Sequence, residues 1–292
     1  MMAALRHEPV MLSEVLEVLA IQPGDFAVDG TLGLAGHAKE MAKAGASILG
    51  VDWDESMLRE AKSELPAAEF VHADYREIPE ILGERRANAI LLDLGLNSAQ
   101  IDDPERGISF MQDGPLDMRM DRSRGESAAS FLNRASEDQI EKVIREYGEE
   151  KWSRRIAKVI VERRREKPLR TTQDLVDCVL AAVPVAARDK RIHPATRTSQ
   201  GVRIAINHEL EDLETALAEI ARCLAIGGRM VVLSYHSLED RAVKRAFREL
   251  AREGEFEDLF RKPLEPSQEE INRNRRSRSA KLRAVRRMEG KS

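Results

Sequence analysis

Asp25-Phe26-Ala27-Val28-Asp29-Gly30-Thr31-Leu32-Gly33-Leu34-Ala35-Gly36 is the stretch that decides the fold. A short apolar run ends in a carboxylate, and a glycine-bearing turn follows it. His37 to Ala44 then has helical spacing, so the segment reads strand, turn, helix. Working outward, Ser47 to Asp52 reads as a second strand, Ser56 to Leu65 as a second helix and Glu69 to Asp74 as a third strand. Ala87 to Asp93 reads as a fourth. This fourth run shows no polar alternation, as expected of a strand covered on both faces. Strand, helix, strand at this spacing predicts an α/β fold, a doubly wound and mostly parallel sheet with right-handed crossovers.

The rhythm breaks at Asp102-Asp103-Pro104. From there to about Arg203 no strand is convincing, while Glu137 to Arg165 and Thr172 to Ala182 have helical spacing. The chain therefore divides into a discontinuous α/β domain, residues 1–103 and 204–292, and an inserted all-helical domain, residues 104–203. Beyond the insertion Ile204 to Ala225 reads as one long amphipathic helix ended by Gly227-Gly228. Arg229 to Ser234 reads as a fifth strand and Leu238 to Arg252 as a helix. The remainder, to Arg287, has room for a final strand pair.

The 292 residues are 42% hydrophobic and 34% charged, enough to fill a sizeable core beneath an ionic surface. A disordered chain would be far poorer in apolar residues. No apolar run approaches the roughly 18 to 20 residues that span a bilayer, and the N-terminus has no apolar leader. A cytoplasmic protein with no membrane contact is expected. Cys178 and Cys223 stand far apart in helical patterns, which excludes a disulfide framework or a Cys-rich zinc module. The six histidines show no ligand pairing such as HExxH, so no metal is expected. The net charge of −4 hides an asymmetry: residues 1–103 hold 8 basic against 19 acidic side chains, and residues 241–292 hold 16 against 9. Lys151 to Arg170 carries nine basic residues against two acidic, and Ile271 to Ser292 nine against one. Two readings fit these runs: contact with a polyanion, or a solvated helix face plus a loose basic tail.

Small side chains in the turn after the first strand let backbone N–H groups approach a ligand closely. Asp52 ends the second strand, where doubly wound folds place a carboxylate for ribose hydroxyls. Nicotinamide dehydrogenases share that pair of features. Here Asp29 precedes the glycines, and the spacing Gly30-x-x-Gly33-x-x-Gly36 is looser than a pyrophosphate clamp. A ligand without phosphate, such as S-adenosylmethionine, suits it better. Asp93 ends the fourth strand on the same rim. It either accepts from an amine awaiting a methyl group, or caps a turn and holds the cofactor's own amine. In Ser234-Tyr235-His236-Ser237, Ser237 is expected to cap the following helix with Asp240. His236 either faces the site or satisfies a core hydrogen bond. Arg188 to Thr198, with Arg203, gathers donors suited to phosphates or base edges.

Longer strings carry a resemblance. They are His7-Glu8-Pro9-Val10-Met11, Asp29-Gly30-Thr31-x-Gly33-x-x-Gly36-His37, Leu92-Asp93-Leu94-Gly95 and Asp103-x-Glu105-Arg106-Gly107-x-Ser109-Phe110. Gly114-Pro115-Leu116-Asp117-Met118-Arg119-Met120-Asp121, His193-Pro194-Ala195-Thr196-Arg197-Thr198 and His236-Ser237-Leu238-Glu239-Asp240-Arg241 follow in order. Together the chain resembles the bacterial small-subunit ribosomal RNA (cytosine-N4)-methyltransferases, the RsmH or MraW family. The resemblance implies a class I, Rossmann-like methyltransferase fold with S-adenosylmethionine as donor. It implies methylation of N4 of a cytidine in 16S ribosomal RNA at the decoding or P-site region. The implied cofactor contacts are Gly33, Ala35, Gly36, His37, Asp52, Tyr75, Asp93 and Gln100. Asp93 and His236 are the candidate catalytic residues, and Arg119, Arg197 and Arg203 the candidate RNA contacts. The implied partner is small-subunit ribosomal RNA in an assembled 30S subunit, with a homodimer left open. Four places depart from the family pattern: Ala35 for glycine, Tyr75 for phenylalanine-like residues, Ser199 for an aromatic, and Asn97-Ser98-Ala99 for Ser-Ser-Pro. A nicotinamide dehydrogenase and a non-catalytic ribosome assembly factor remain as rivals.

Overall fold

Continuous apolar runs make the centre of the sheet. In the computed structural model, which describes residues 9–96 and 101–290, β1 (Phe26–Asp29), β2 (Ser47–Asp52), β3 (Glu69–His72) and β4 (Ala87–Asp93) are all parallel to their neighbours. β5 (Leu224–Ser234) joins β4 in parallel, and β7 (Lys281–Arg287) lies antiparallel between β5 and β6 (Phe256–Asp258). The order across the seven strands is β3-β2-β1-β4-β5-β7-β6. Alternate strand residues point to opposite faces. Ala27, Ala89, Leu91, Val231, Leu233, Leu282 and Ala284 share one face with α1 (Leu12–Leu19), α2 (Gly36–Lys43) and α3 (Glu55–Glu64). The opposite face takes Ile90, Leu92, Met230 and Val232, all fully buried. On the return side of the fold, α4 (Ile78–Leu82), which precedes β4, and the later α11 (Ser237–Glu253) both pack against α10 (Leu213–Ala221).

The chain forms two compact units, one spanning Leu96–Glu211 and the other made of the residues up to Gly95 and from Asp212 onward. The inserted unit thus runs several residues further at each end than the 104–203 read from sequence. It contains α5 (Ala128–Arg134), α6 (Glu137–Glu146), α7 (Ser153–Glu166), α8 (Thr172–Ala182) and α9 (Ala195–Ile206) around its own apolar core. Ser136 with Gln139 and Thr171 with Asp174 form capping boxes that fix the starts of α6 and α8. Both cysteines are buried, and burial pushes their thiols up from the usual range.

Two sequence expectations need correction. The expected helix from Ile204 to Ala225 is two helices, because Asn207 takes the backbone into other hands. Its amide nitrogen donates to the Met118 carbonyl at 2.8 Å, and its amide oxygen accepts from the Met120 N–H at 2.8 Å. The chain then turns through left-handed residues at His208 and Asp212 before α10 begins. Leu224 and Ala225 belong to β5, which runs through the glycine pair instead of starting after it. The basic tail is likewise not loose: β7 lies inside the sheet, and Arg283 is buried with its Nε donating to Asp240 at 2.7 Å.

Replacing Asn207 with alanine strands one backbone donor and one acceptor. Asn207→Ala is expected to cost roughly 1–3 kcal/mol, read as a lower urea midpoint for the helical unit.

Candidate active site

Asp29, Asp52 and Asp93 are the last residues of β1, β2 and β4, so parallel pairing brings three carboxylates to one edge. That edge, outside the carboxyl ends of the strands, is where open α/β sheets bind ligands. Asp29 Oδ1 accepts the Thr31 N–H at 3.2 Å, and Thr31 Oγ1 accepts the Asp93 N–H at 2.6 Å. Asp52 accepts from Gly33 N–H at 2.7 Å through one oxygen and from Asp54 N–H at 2.8 Å through the other. Asp93 Oδ1 accepts the Gly95 N–H at 3.2 Å. The carboxylates therefore hold the backbone of the turns along this edge, Asp52 reaching across to the turn after β1. Among the described residues no lysine or arginine pairs with any of the three.

Uncompensated burial has an electrostatic consequence. Asp29 is pushed from the usual 3.8 up to about 7, first by burial and then by the charges of Asp93 and Asp52, against the lowering effect of the Thr31 N–H. Burial also raises Asp52. A site of this kind is short of positive charge. The residues present fit S-adenosylmethionine: carboxylates without counter-ions face the place for its sulfonium and ammonium charges. Asp52 retains acceptor capacity for hydroxyls, since an ionised carboxylate offers about four lone-pair positions.

The turn itself is strained where it needs to be tight. Gly33 has φ +52° and Ala35 φ +60°. Ala35 gives α2 no side-chain cap, which leaves the first amides of that helix to other acceptors. The Ala35 methyl is fully buried in the core beneath the sheet. Gly36 lies against Pro9, whose Cγ would be 2.6 Å from any Cβ there. His37 reaches the same N-terminal segment: its Nε2 is 2.9 Å from the Val10 carbonyl, and the ring is buried. Its side chain is thus an anchor, and its backbone N–H is the part left for a ligand. Tyr75 stands beside Gly30, half-buried, with the Arg76 guanidinium 4.8 Å from its ring centre. Gln100 lies outside the described residues.

His236 needs correction. It is the cap of α11, one residue earlier than the Ser237 cap expected from sequence, and Glu239 completes the box in place of Asp240. His236 Nδ1 accepts the Glu239 N–H at 3.3 Å, and Nε2 is 3.0 Å from a Glu239 carboxylate oxygen. The ring therefore serves the helix start through Nδ1, while Nε2 is buried and has no hydrogen-bond partner among the described residues despite its closeness to that oxygen.

In the helical unit the arginine assignments divide. Arg119 forks onto Asp117, at 2.7 and 2.9 Å, and donates to the carbonyls of Arg122, Arg124 and Gly125. Arg203 forks onto Glu209 at 2.9 and 2.7 Å. Both guanidinium groups are partly buried and held by carboxylates of the same unit. Arg197 is exposed and lines a cavity of about 270 Å³ with Trp152, Arg188 and His193. Lys151, Arg154 and Arg155 are exposed beside the same Trp152. None of these four cations has an ion pair among the described residues. Arg154 and Arg155 were visible in sequence only as members of a basic run.

The sheet order, with β7 its antiparallel strand, and the carboxylates closing β1, β2 and β4 define a class I, Rossmann-like methyltransferase. The chain belongs to the MraW methylase family, whose model matches residues 4–288. "Ribosomal RNA small subunit methyltransferase H" of Syntrophobacter fumaroxidans is 45% identical to it, over 97% of this chain and 96% of that one. The protein of the same name from Pelobacter propionicus is 44% identical, over 97% and 99%. Among solved structures, an rRNA methylase from Streptococcus thermophilus aligns with a TM-score of 0.43 at 12% identity, over 95% of this chain and 94% of that one.

The raised Asp29 carboxyl fixes the sign of a stability effect. The folded protein holds this proton more tightly than the unfolded chain. Asp29 therefore makes stability fall as pH rises from about 4 to about 7, with the full cost present above that range. Asp29→Asn is expected to remove the fall and to raise Tm at pH 8 by roughly 5 °C, with a small effect at pH 4, in thermal melts across pH.

Proposed function

We propose that the protein transfers a methyl group from S-adenosylmethionine to the exocyclic N4 of a cytidine in 16S ribosomal RNA, at the decoding or P-site region of the small subunit. The observation that carries this reading is the trio Asp29, Asp52 and Asp93, with no lysine or arginine partner among the described residues, in a chain whose relatives are named for small-subunit ribosomal RNA methylation. S-adenosylmethionine supplies an electrophilic methyl group on a sulfonium sulfur. Asp52 is assigned to the ribose hydroxyls, the amides of Gly36 and His37 to the amino-acid end, and Tyr75 to the adenine face.

A cytosine amine is conjugated into its ring and is a poor nucleophile. Asp93 accepts one of its N–H groups, which keeps electron density on nitrogen and aligns its lone pair. The base must leave its stack to reach the strand ends, as base-modifying enzymes require. Among the described residues no helix is long and apolar enough to cross a membrane. A cytoplasmic location and an assembled 30S subunit as substrate belong to the same proposal, as does the homodimer left open by the sequence.

RNA contact is assigned to the exposed face of Lys151, Arg154, Arg155 and Arg197 around Trp152. These cations are available to phosphates, whereas Arg119 and Arg203 are engaged by Asp117 and Glu209. Phosphate contacts give affinity a steep salt dependence.

The decisive test is tritiated-methyl transfer to small subunits lacking their own modifications, with naked 16S RNA in parallel and nucleoside analysis of the product. Label in N4-methylcytidine is expected. Label in another nucleoside would overturn the target base, and cofactor binding without any transfer would favour an assembly factor. Asp93→Ala is expected to lower turnover by about 10²–10⁴-fold. Replacing Arg154, Arg155 and Arg197 by alanine should flatten the salt slope of RNA binding by about 0.7–0.9 for each phosphate no longer neutralised. Arg119→Ala and Arg203→Ala should instead lower Tm at unchanged salt slope. A flattened slope in those two variants would reverse the assignment.

A further inference from the structure

One cavity of the helical unit holds a buried acid among its cations. The space of about 270 Å³ beside Trp152 is lined by Lys151, Arg188, His193 and Arg197, and also by Glu150. That volume is close to the lower end of small-ligand pockets, about 300 Å³. Its walls are held from behind. The Arg188 guanidinium donates to the carbonyl oxygens of Leu180 at 2.7 Å and Val183 at 3.3 Å. The His193 ring packs on Phe110 with 4.9 Å between ring centres, and its Nδ1 accepts the Ala195 N–H at 3.2 Å.

Glu150 is the unexpected member. It is only 9% exposed, and glutamates are almost never buried this deeply unless paired. Its Oε1 accepts the Trp152 N–H at 2.9 Å, in the turn that leads into α7. Its Oε2 has no hydrogen-bond or ion-pair partner among the described residues. The cavity's other acid, Asp189, is exposed and accepts the Arg191 N–H at 2.7 Å. A phosphate does not explain this arrangement, because a buried carboxylate repels an anion. The lining suits a ligand that is flat, apolar on its faces and supplied with N–H donors along one edge. A nucleobase lifted out of its stack has those properties, and an indole is a surface on which it stacks.

The carboxylate then discriminates between bases. Guanine presents two neighbouring donors, N1–H and the 2-amino group, at the spacing of a carboxylate's two oxygens. Each of those oxygens has two lone pairs, so Oε1 keeps one beside the Trp152 N–H. Adenine and cytosine carry an unprotonated ring nitrogen next to the amino group, and uracil carries carbonyls on both sides of its N3–H. Those edges set a lone pair against one carboxylate oxygen. The course of the chain beyond the base is also marked out. Lys151 and Trp152 line a second cavity with Arg154, Arg155 and Lys158, cations that suit the neighbouring phosphates.

We infer that this cavity reads a single unpaired guanosine of the RNA substrate, its base stacked on Trp152, its Watson–Crick edge on Glu150, and its flanking phosphates on Lys151 and Arg197. The inference rests on the assignment of this face to RNA, and adds a base preference that charge alone does not supply.

The test uses the full-length protein and labelled RNA pentamers, uridine throughout except for a central guanosine, inosine, adenosine, cytidine or uridine. Inosine keeps N1–H and lacks the 2-amino group. In fluorescence anisotropy the guanosine pentamer is expected to bind about 10-fold more tightly than the adenosine, cytidine and uridine pentamers, with inosine between them. It should also quench tryptophan emission, and Trp152→Phe should abolish that quenching, although the second of the chain's two tryptophans, Trp53, remains. Glu150→Gln keeps an acceptor for the Trp152 N–H and turns the other position into a donor. It should erase the guanosine preference and leave uridine binding within about 2-fold, since that binding rests on phosphates. Equal affinity for the five pentamers, or a guanosine preference undiminished in Glu150→Gln, would overturn the inference. Weaker binding of Glu150→Gln to small subunits with unchanged binding of every pentamer would make a ribosomal protein the occupant and overturn it as well. Tritiated-methyl transfer by the same wild-type preparation separates the two levels. Transfer to small subunits without any guanosine preference overturns the pocket alone, whereas no RNA binding and no transfer would overturn the RNA reading and the pocket with it.

Discussion

Three carboxylates crowd the ends of neighbouring strands, Asp29 and Asp52 buried and Asp93 half-buried, and among the described residues no lysine or arginine relieves them. The fold tolerates this because each carboxylate is given backbone N–H donors: Thr31 for Asp29, Gly33 and Asp54 for Asp52, Gly95 for Asp93. Those donors are the turns themselves. The conformation of the glycine turn, the strand ends and the ligand edge are therefore one problem, solved together. The residual cost appears as the high pKa of Asp29, which stores an affinity for positive charge that a cationic ligand can draw upon.

Around that edge the chain closes on itself from distant parts. Pro9 covers Gly36, the Val10 carbonyl meets His37, and the Met11 N–H donates to the buried Glu270 carboxylate at 2.7 Å. Glu239 performs a similar service at the end of β5 by holding Tyr235 and His236. Acidic residues thus act twice in this unit, as the set that closes three strands and as the clamps that hold loops behind it. The helical unit uses the same device with opposite polarity: Arg119 and Arg203 are clamps, and Arg154, Arg155 and Arg197 are exposed without an ion pair among the described residues.

Much of the sheet was legible because parallel strands buried on both faces are written as unbroken apolar runs. The expected second and fourth strands coincide with β2 and β4, and the first begins one residue later than read. Asp29, Asp52 and Asp93 were legible for the same reason, since each is the first charge after such a run. What escaped was settled by partners remote in sequence. Nothing local to Asn207 tells that its amide will meet Met118 and Met120, so the break before α10 reads as helix. Arg203 lies in the last turn of α9 and finds Glu209 beyond the helix end, which helical spacing does not show. Arg119 is more accessible to reading, with Asp117 two positions away, but its motif advertises the charge and hides the neighbour.

The hydrogen bond between Met11 and Glu270 also sets an order of events during synthesis. Its two residues are 259 positions apart, so the acceptor is made long after the donor. Until then the N-terminal segment that covers Gly36 and receives His37 has no latch, and β5 lacks its β7 neighbour. Domains emerging from the ribosome fold as their residues become available. A nascent chain could form β1 to β4 early, yet its ligand edge would stay unfastened along one side. Completion of this edge is thereby coupled to synthesis of the segment that carries Glu270, so that a product terminated before it has the three strand-end carboxylates without the clasp beside them.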